Sequence, residues 1–223
     1  HGKYAHEETK ATCSRAVQYR SGKYLVVRDQ EQTRKLCDYI LGRTSREIFL
    51  KEFSKSMSPG FDPDRDLGYL GCANQTTMLS GESVEIARLL EAAMRERYGQ
   101  EELAKRFRHY DTICSATQDR QDAVTKLIGK GIGLMIVIGG FNSSNTGHLA
   151  EIASKSCPTY HIDDASCILT RSRIRHKKPF CADILETDDW LPEGHVRIGI
   201  TAGASTPNRM IEEVIRRLFE IGL

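Results

Sequence analysis

Small polar side chains recur in this chain where chemistry on an anion needs them. The stretch Gly133-Leu-Met-Ile-Val-Ile-Gly-Gly-Phe-Asn-Ser-Ser-Asn-Thr146 is an apolar run that ends in two glycines, followed by Ser143, Ser144 and Asn145. Ala73-Asn-Gln-Thr-Thr77 and Thr201-Ala-Gly-Ala-Ser-Thr-Pro207 repeat the theme with Thr76, Thr77 and Ser205. Read as strand ends that face helix N-termini, such joints offer short-stemmed donors and unpaired backbone N–H groups to a phosphate or diphosphate. Each Ser or Thr taken alone reads as a helix cap. Their repetition points to a ligand, as do Gly139, Gly140 and Gly203, which let the backbone approach closely. No G-x-G-x-x-G follows a strand and no G-x-x-x-x-G-K-[ST] is present, which disfavours a nicotinamide dinucleotide and a P-loop.

Two other groups carry titratable chemistry. His6 and Glu8 lie two apart; on a strand or extended loop they share one side and can pass a proton, the alternative being ordinary surface polarity. Cys114 stands just ahead of a helical segment, in Asp111-Thr-Ile-Cys-Ser-Ala-Thr117. Positive helix potential there stabilises a thiolate as nucleophile or metal ligand, although a buried free thiol is the common state of a cysteine.

The elements that must position these groups alternate between strand and helix. Lys23 to Val27 reads as a strand, Glu31 to Leu41 and Arg46 to Met57 as helices, and Leu67 to Leu70 as a strand. Glu82 to Tyr98 has the apolar stripe of a helix, and Gly99 marks its stop. A second unit begins near Asp111: helix 118–129, strand 134–138, helix 148–155, strand 159–162, an irregular excursion over 171–195, strand 196–200, and a final amphipathic helix through Phe219. This order predicts two similar α/β domains, residues 1–110 and 111–223, with mainly parallel sheets and ligands gathered beyond the carboxyl ends of strands.

Bulk properties narrow the function classes. Of 223 residues, 32 are Lys or Arg and 30 Asp or Glu, a formal charge of +2 that makes no case for nucleic acid as main partner. The basic run Arg173 to Lys178 lacks interleaved aromatics and reads as a solvated loop. No apolar segment approaches the length of a membrane span. The seven cysteines are widely spaced without a C-x-x-C pair, so no local zinc knuckle or ferredoxin-like cluster is indicated, and a reducing compartment fits. The opening His1-Gly-Lys-Tyr-Ala-His6, with no initiator Met, reads as part of something larger or as a processed product.

Taken together and in order, five segments resemble 4-hydroxy-3-methylbut-2-enyl diphosphate reductase of the plant and cyanobacterial type. They are His1-Gly-Lys-Tyr-Ala-His-Glu-Glu-Thr9, Ala73-Asn-Gln-Thr-Thr-Met-Leu79, Thr112-Ile-Cys-Ser-Ala-Thr-Gln118, Asn142-Ser-Ser-Asn-Thr146 and Thr201-Ala-Gly-Ala-Ser-Thr-Pro207. The resemblance spans essentially the whole chain. It implies the remnant of a three-domain trefoil around a [4Fe–4S] cluster held by three cysteines, of which Cys114 matches the last. It also implies an allylic diphosphate substrate: His6 and Glu8 match residues that contact the diphosphate and relay protons, Thr76 stands beside that glutamate, and Thr77, Ser143, Ser144, Asn145 and Ser205 match the diphosphate pocket.

The implied reaction is a reductive dehydroxylation giving isopentenyl and dimethylallyl diphosphates, with ferredoxin or flavodoxin as electron donor. The resemblance further implies a plastid stroma, or a cytoplasm for a bacterial source. Its departure is the N-terminal domain that family members carry before the point matching His1, with the other two cluster cysteines. A truncated homologue that binds diphosphate without redox activity is therefore the alternative, as is a fragment completed by a separate chain.

Overall fold

The computed structural model describes residues 1–110 and 112–223; Asp111, where the second domain is expected to begin, lies outside the described residues. The chain divides into two units, His1–Ile113 and Cys114–Leu223.

The first unit is mostly helical. In order it has α1 (Glu7–Ala16), α2 (Gln30–Ile40), α3 (Arg46–Phe53), α4 (Pro63–Asp66), β1 (Leu70–Cys72), α5 (Ser80–Tyr98), α6 (Gln100–Arg106) and β2 (Phe107–His109). Local chemistry sets the boundaries. Asp29 caps α2 by accepting from the Gln32 amide at 2.9 Å, and Ser45 caps α3. Gly99, at φ +82°, separates α5 from α6. Ile40, Phe49, Phe53, Ile86 and Met94 form the core of this unit and are fully or almost fully buried. β1 and β2 pair in parallel, with Cys72 opposite His109. The strand expected over Lys23 to Val27 is instead an extended segment with a single antiparallel bridge, Leu25 to Met57.

The second unit runs α7 (Ser115–Ile128), β3 (Leu134–Ile138), α8 (Ser144–Ser154), β4 (Thr159–Ile162), β5 (Arg173–Lys177), β6 (Ile184–Asp188), β7 (Ile198–Ala202) and α9 (Asn208–Glu220). Its sheet order is β6-β5-β4-β3-β7. β3 is a run of five apolar residues with no exposed surface, which is the signature of a central strand covered on both faces. β4 and β7 flank it in parallel.

The sheet is mixed, which corrects the expectation of two similar domains with mainly parallel sheets. β5 joins β4 antiparallel and pairs antiparallel with β6, so the region 171–195 is a hairpin on the sheet edge and not an irregular excursion. Its strands are short and charged, with only alternate residues such as Ile174 and His176 turned inward, so no apolar run betrays them. Nor are the two units alike: the described strands of the first are three residues long, whereas the second is built on a five-stranded sheet. Among the described residues no helix is long and apolar enough to cross a membrane.

Candidate functional site

In the second unit the joints after β3 and β7 lock together. The Ile138 carbonyl accepts from the Gly203 amide at 2.9 Å and from the Thr206 hydroxyl at 3.2 Å. Glycine is required at both joints. A Cβ on Gly203 would lie 2.3 Å from Thr146 Oγ1, and one on Gly139 would lie 2.7 Å from the hydroxyls of both Thr146 and Thr206. Gly139 also sits at φ +145°, a backbone conformation that L side chains rarely adopt.

This packing sets the N-terminus of α8 beside the Gly203 turn. Ser143 is its N-cap: Oγ accepts from the Thr146 amide at 3.3 Å and from the Thr146 hydroxyl at 3.0 Å. Ser144 follows, half-buried, and Asn145 is 6% exposed. Among the described residues the buried Asn145 Oδ1 has no hydrogen-bond partner. An orphaned polar atom beside a helix N-terminus, where backbone N–H groups lack intrahelical acceptors, suits a ligand that supplies the missing bonds. Ser205 is exposed on the adjoining turn.

Neighbouring strands brace the loop from beneath. His161 Nε2 donates to the Gly139 carbonyl at 2.8 Å, and Lys177 Nζ donates to the Phe141 carbonyl at 2.5 Å. Burial holds the His161 imidazole below its ordinary pKa of 6.5, so it serves as a neutral brace. Neither His161 nor Lys177 was picked out in the sequence; the only signal was their place on β4 and in the Arg173 to Lys178 run. Cys114 is the N-cap residue of α7, with an exposed side chain that makes no cap hydrogen bond.

In the first unit His6 and Glu8 lie on no strand. His6 is the N-cap of α1, its Nδ1 accepting from the Glu8 amide at 3.3 Å, and Glu8 is in the first turn. The Glu8 carboxylate reaches the other motif of this unit: Oε1 accepts from the Thr76 amide at 2.9 Å. Gln75, unremarked in the sequence, ties the two motifs together. Its buried Oε1 accepts from the Thr9 hydroxyl and the Lys3 amide, both at 3.1 Å, while Nε2 donates to Thr77 Oγ1 at 2.8 Å. The structure thus joins Glu8, Thr76 and Thr77 within one unit, and Ser143, Asn145 and the Ser205 turn within the other.

A family model described as LytB protein matches residues 1–219. The chain belongs to the LytB protein family. Relatives named 4-hydroxy-3-methylbut-2-enyl diphosphate reductase include that of Synechococcus sp. (strain CC9605), 53% identical over 222 residues, which are 99% of this chain and 54% of that protein. The reductase of Gloeobacter violaceus is 50% identical over 222 residues, 99% of this chain and 52% of that protein. The chain spans about half the length of the curated relatives it matches. A solved structure of (E)-4-hydroxy-3-methyl-but-2-enyl diphosphate reductase matches with a TM-score of 0.41 and 32% identity, over 69% of this chain and 44% of that one.

For this LytB chain the expectation of a [4Fe–4S] cluster is corrected. Among the described residues no group of three or more His, Cys, Asp or Glu is placed to hold a metal ion. A four-iron cluster needs converging thiolates. Cys13, Cys37 and Cys72 are instead buried side chains whose thiols burial pushes up, Cys37 to about 11. Among the described residues Cys114 has no partners that form a ligand set with it. The donors present do not fit the cluster.

Proposed function

We propose that this chain is the diphosphate-binding portion of a 4-hydroxy-3-methylbut-2-enyl diphosphate reductase, and that by itself it binds an allylic diphosphate without reducing it. The observation that carries this reading is Asn145: a buried side chain with an unpartnered amide oxygen, next to the capped N-terminus of α8 and the Gly203 turn. The amide presents acceptor and donors on one flat group, and turning it by half a rotation puts its NH2 where the orphaned oxygen stands. That NH2, the first-turn N–H groups of α8 and the hydroxyls of Ser144 and Ser205 together form a donor set for phosphate oxygens.

In the complete protein this pocket serves the reductive dehydroxylation named for its relatives, a reading favoured by 53% identity over 99% of the chain. Within the first unit Glu8, oriented by the Thr76 amide and with His6 beside it, is the proton donor of this reading, and ferredoxin or flavodoxin is the electron donor.

Titration of the chain with dimethylallyl diphosphate and with inorganic pyrophosphate, followed by amide shifts at Ser144, Asn145 and Ser205, tests the binding role. Asn145→Ala is expected to weaken binding about tenfold, the loss of a charge-assisted hydrogen bond. Unchanged affinity in a variant that keeps the parent's unfolding midpoint would show the pocket assignment to be wrong.

A further inference from the structure

The first unit contains a cavity of about 730 Å³ that is walled by two lengths of extended backbone, Tyr24 to Val27 and Leu70 to Ala73. Leu36, Leu67 and Leu90 line it, as do Thr12, Cys13 and Ala16 of α1. Hydrogen bonds fix which backbone groups point into it, because N–H and C=O directions alternate along a strand. On one wall the Cys72 carbonyl accepts from the Tyr110 amide, so Cys72 faces β2, and Gly71 and Ala73 face the cavity. On the other wall the Val26 amide donates to the Ser56 carbonyl, and the Ser58 amide to the Tyr24 carbonyl. Tyr24 and Val26 therefore turn outward, leaving Leu25 and Val27 to face the cavity.

One end of the slot is already bridged. The Gln75 amide donates to the His1 carbonyl at 2.8 Å, and the His1 nitrogen donates to the Ala73 carbonyl at 2.7 Å, a parallel rung. On the opposite side the Gly2 amide donates to the Val27 carbonyl at 3.0 Å. Both walls run toward this end, so a segment that enters past Leu25 and Gly71 and runs into His1 is parallel to both.

We propose that this slot receives an extended apolar strand of about five residues, joined in line to His1, which completes a parallel sheet between β1 and the Tyr24 to Val27 segment. An extended strand of that length spans about 16 Å. A strand buried among apolar side chains is apolar along its length, matching a cavity lined by Leu36, Leu67, Leu90, Cys13 and Ala16. Curated relatives about twice as long as the chain have polypeptide to provide it. The strand also anchors Gly2, and through it the turn that leads to His6 and Glu8; it does not depend on the diphosphate reading.

The test compares three forms of the chain: unextended, preceded by Val-Ile-Val-Val-Ala, and preceded by Val-Pro-Val-Pro-Val. The last is comparably apolar but lacks two amide donors. Amide hydrogen exchange at Leu25, Val27, Gly71 and Ala73 is the readout. The valine extension is expected to slow exchange at these amides at least tenfold and to raise the unfolding midpoint, and the proline extension to do neither. Equal protection by both extensions, no protection by either, or full protection in the unextended chain would each overturn the proposal.

Discussion

Gly203 and Gly139 show how little room the joints allow. The nearest atom to an added Cβ on Gly203 is a hydroxyl on the first turn of α8, and it also receives a share of the Gly139 approach. Gly203→Ala must push Thr146 away from Ser143, and Gly139→Ala adds backbone strain at φ +145°. Each is expected to lower stability by about 1–3 kcal/mol, read from urea unfolding followed by Trp190, the one tryptophan, which is buried in the same unit. Glu8 allows a finer comparison. Its carboxylate accepts from the Thr76 amide, a role that the carbonyl of glutamine can also fill. Glu8→Gln should therefore keep slow amide exchange at Thr76, and Glu8→Ala should speed it severalfold. Equal exchange in both variants would mean that the contact does not hold the loop.

At the level of elements, α8 depends on its cap and on the strand beneath it. Ser143→Ala removes the side chain that accepts from Thr146 and should cost about 1 kcal/mol, measured by the same unfolding. β4 contributes a pH dependence through His161, and β5 adds a second histidine, His176. Both imidazoles are held below 6.5, chiefly by burial. Below pH 6.5 the unfolded chain takes up protons that the folded chain resists, so this share of stability is full above 6.5 and falls as pH drops toward the lowered native values. Urea midpoints at pH 7.5 and 5.5 should differ accordingly, and His161→Gln should shrink the difference. The hairpin of β5 and β6 had no visible sequence signature, because edge strands of Arg, His, Lys, Glu and Asp read like loop. By contrast β3 and the amphipathic α9 followed from apolar pattern alone, matching at 134–138 and ending one residue past Phe219.

For the whole molecule the decisive fact is that LytB family membership spans residues 1–219 while the chain covers about half of its curated relatives. Anaerobic reconstitution with iron and sulfide should leave no stable four-iron cluster on this chain; a stoichiometric one would contradict the dispersed ligand set. The sequence by itself determined the family, the central strand, the longer amphipathic helices such as α5 and α9, and the two glycine-marked joints, because apolar periodicity and chiral constraints on glycine are local and survive in one dimension. Only the tertiary structure decided that His6 and Glu8 open a helix, that Gln75 binds their loop to Thr77, that the sheet is mixed, and that Gly139 and Gly203 close on a single threonine. Apart from the local His6 cap, those facts depend on which residues distant in sequence come within about 3 Å of one another, and residue type and spacing carry no record of that.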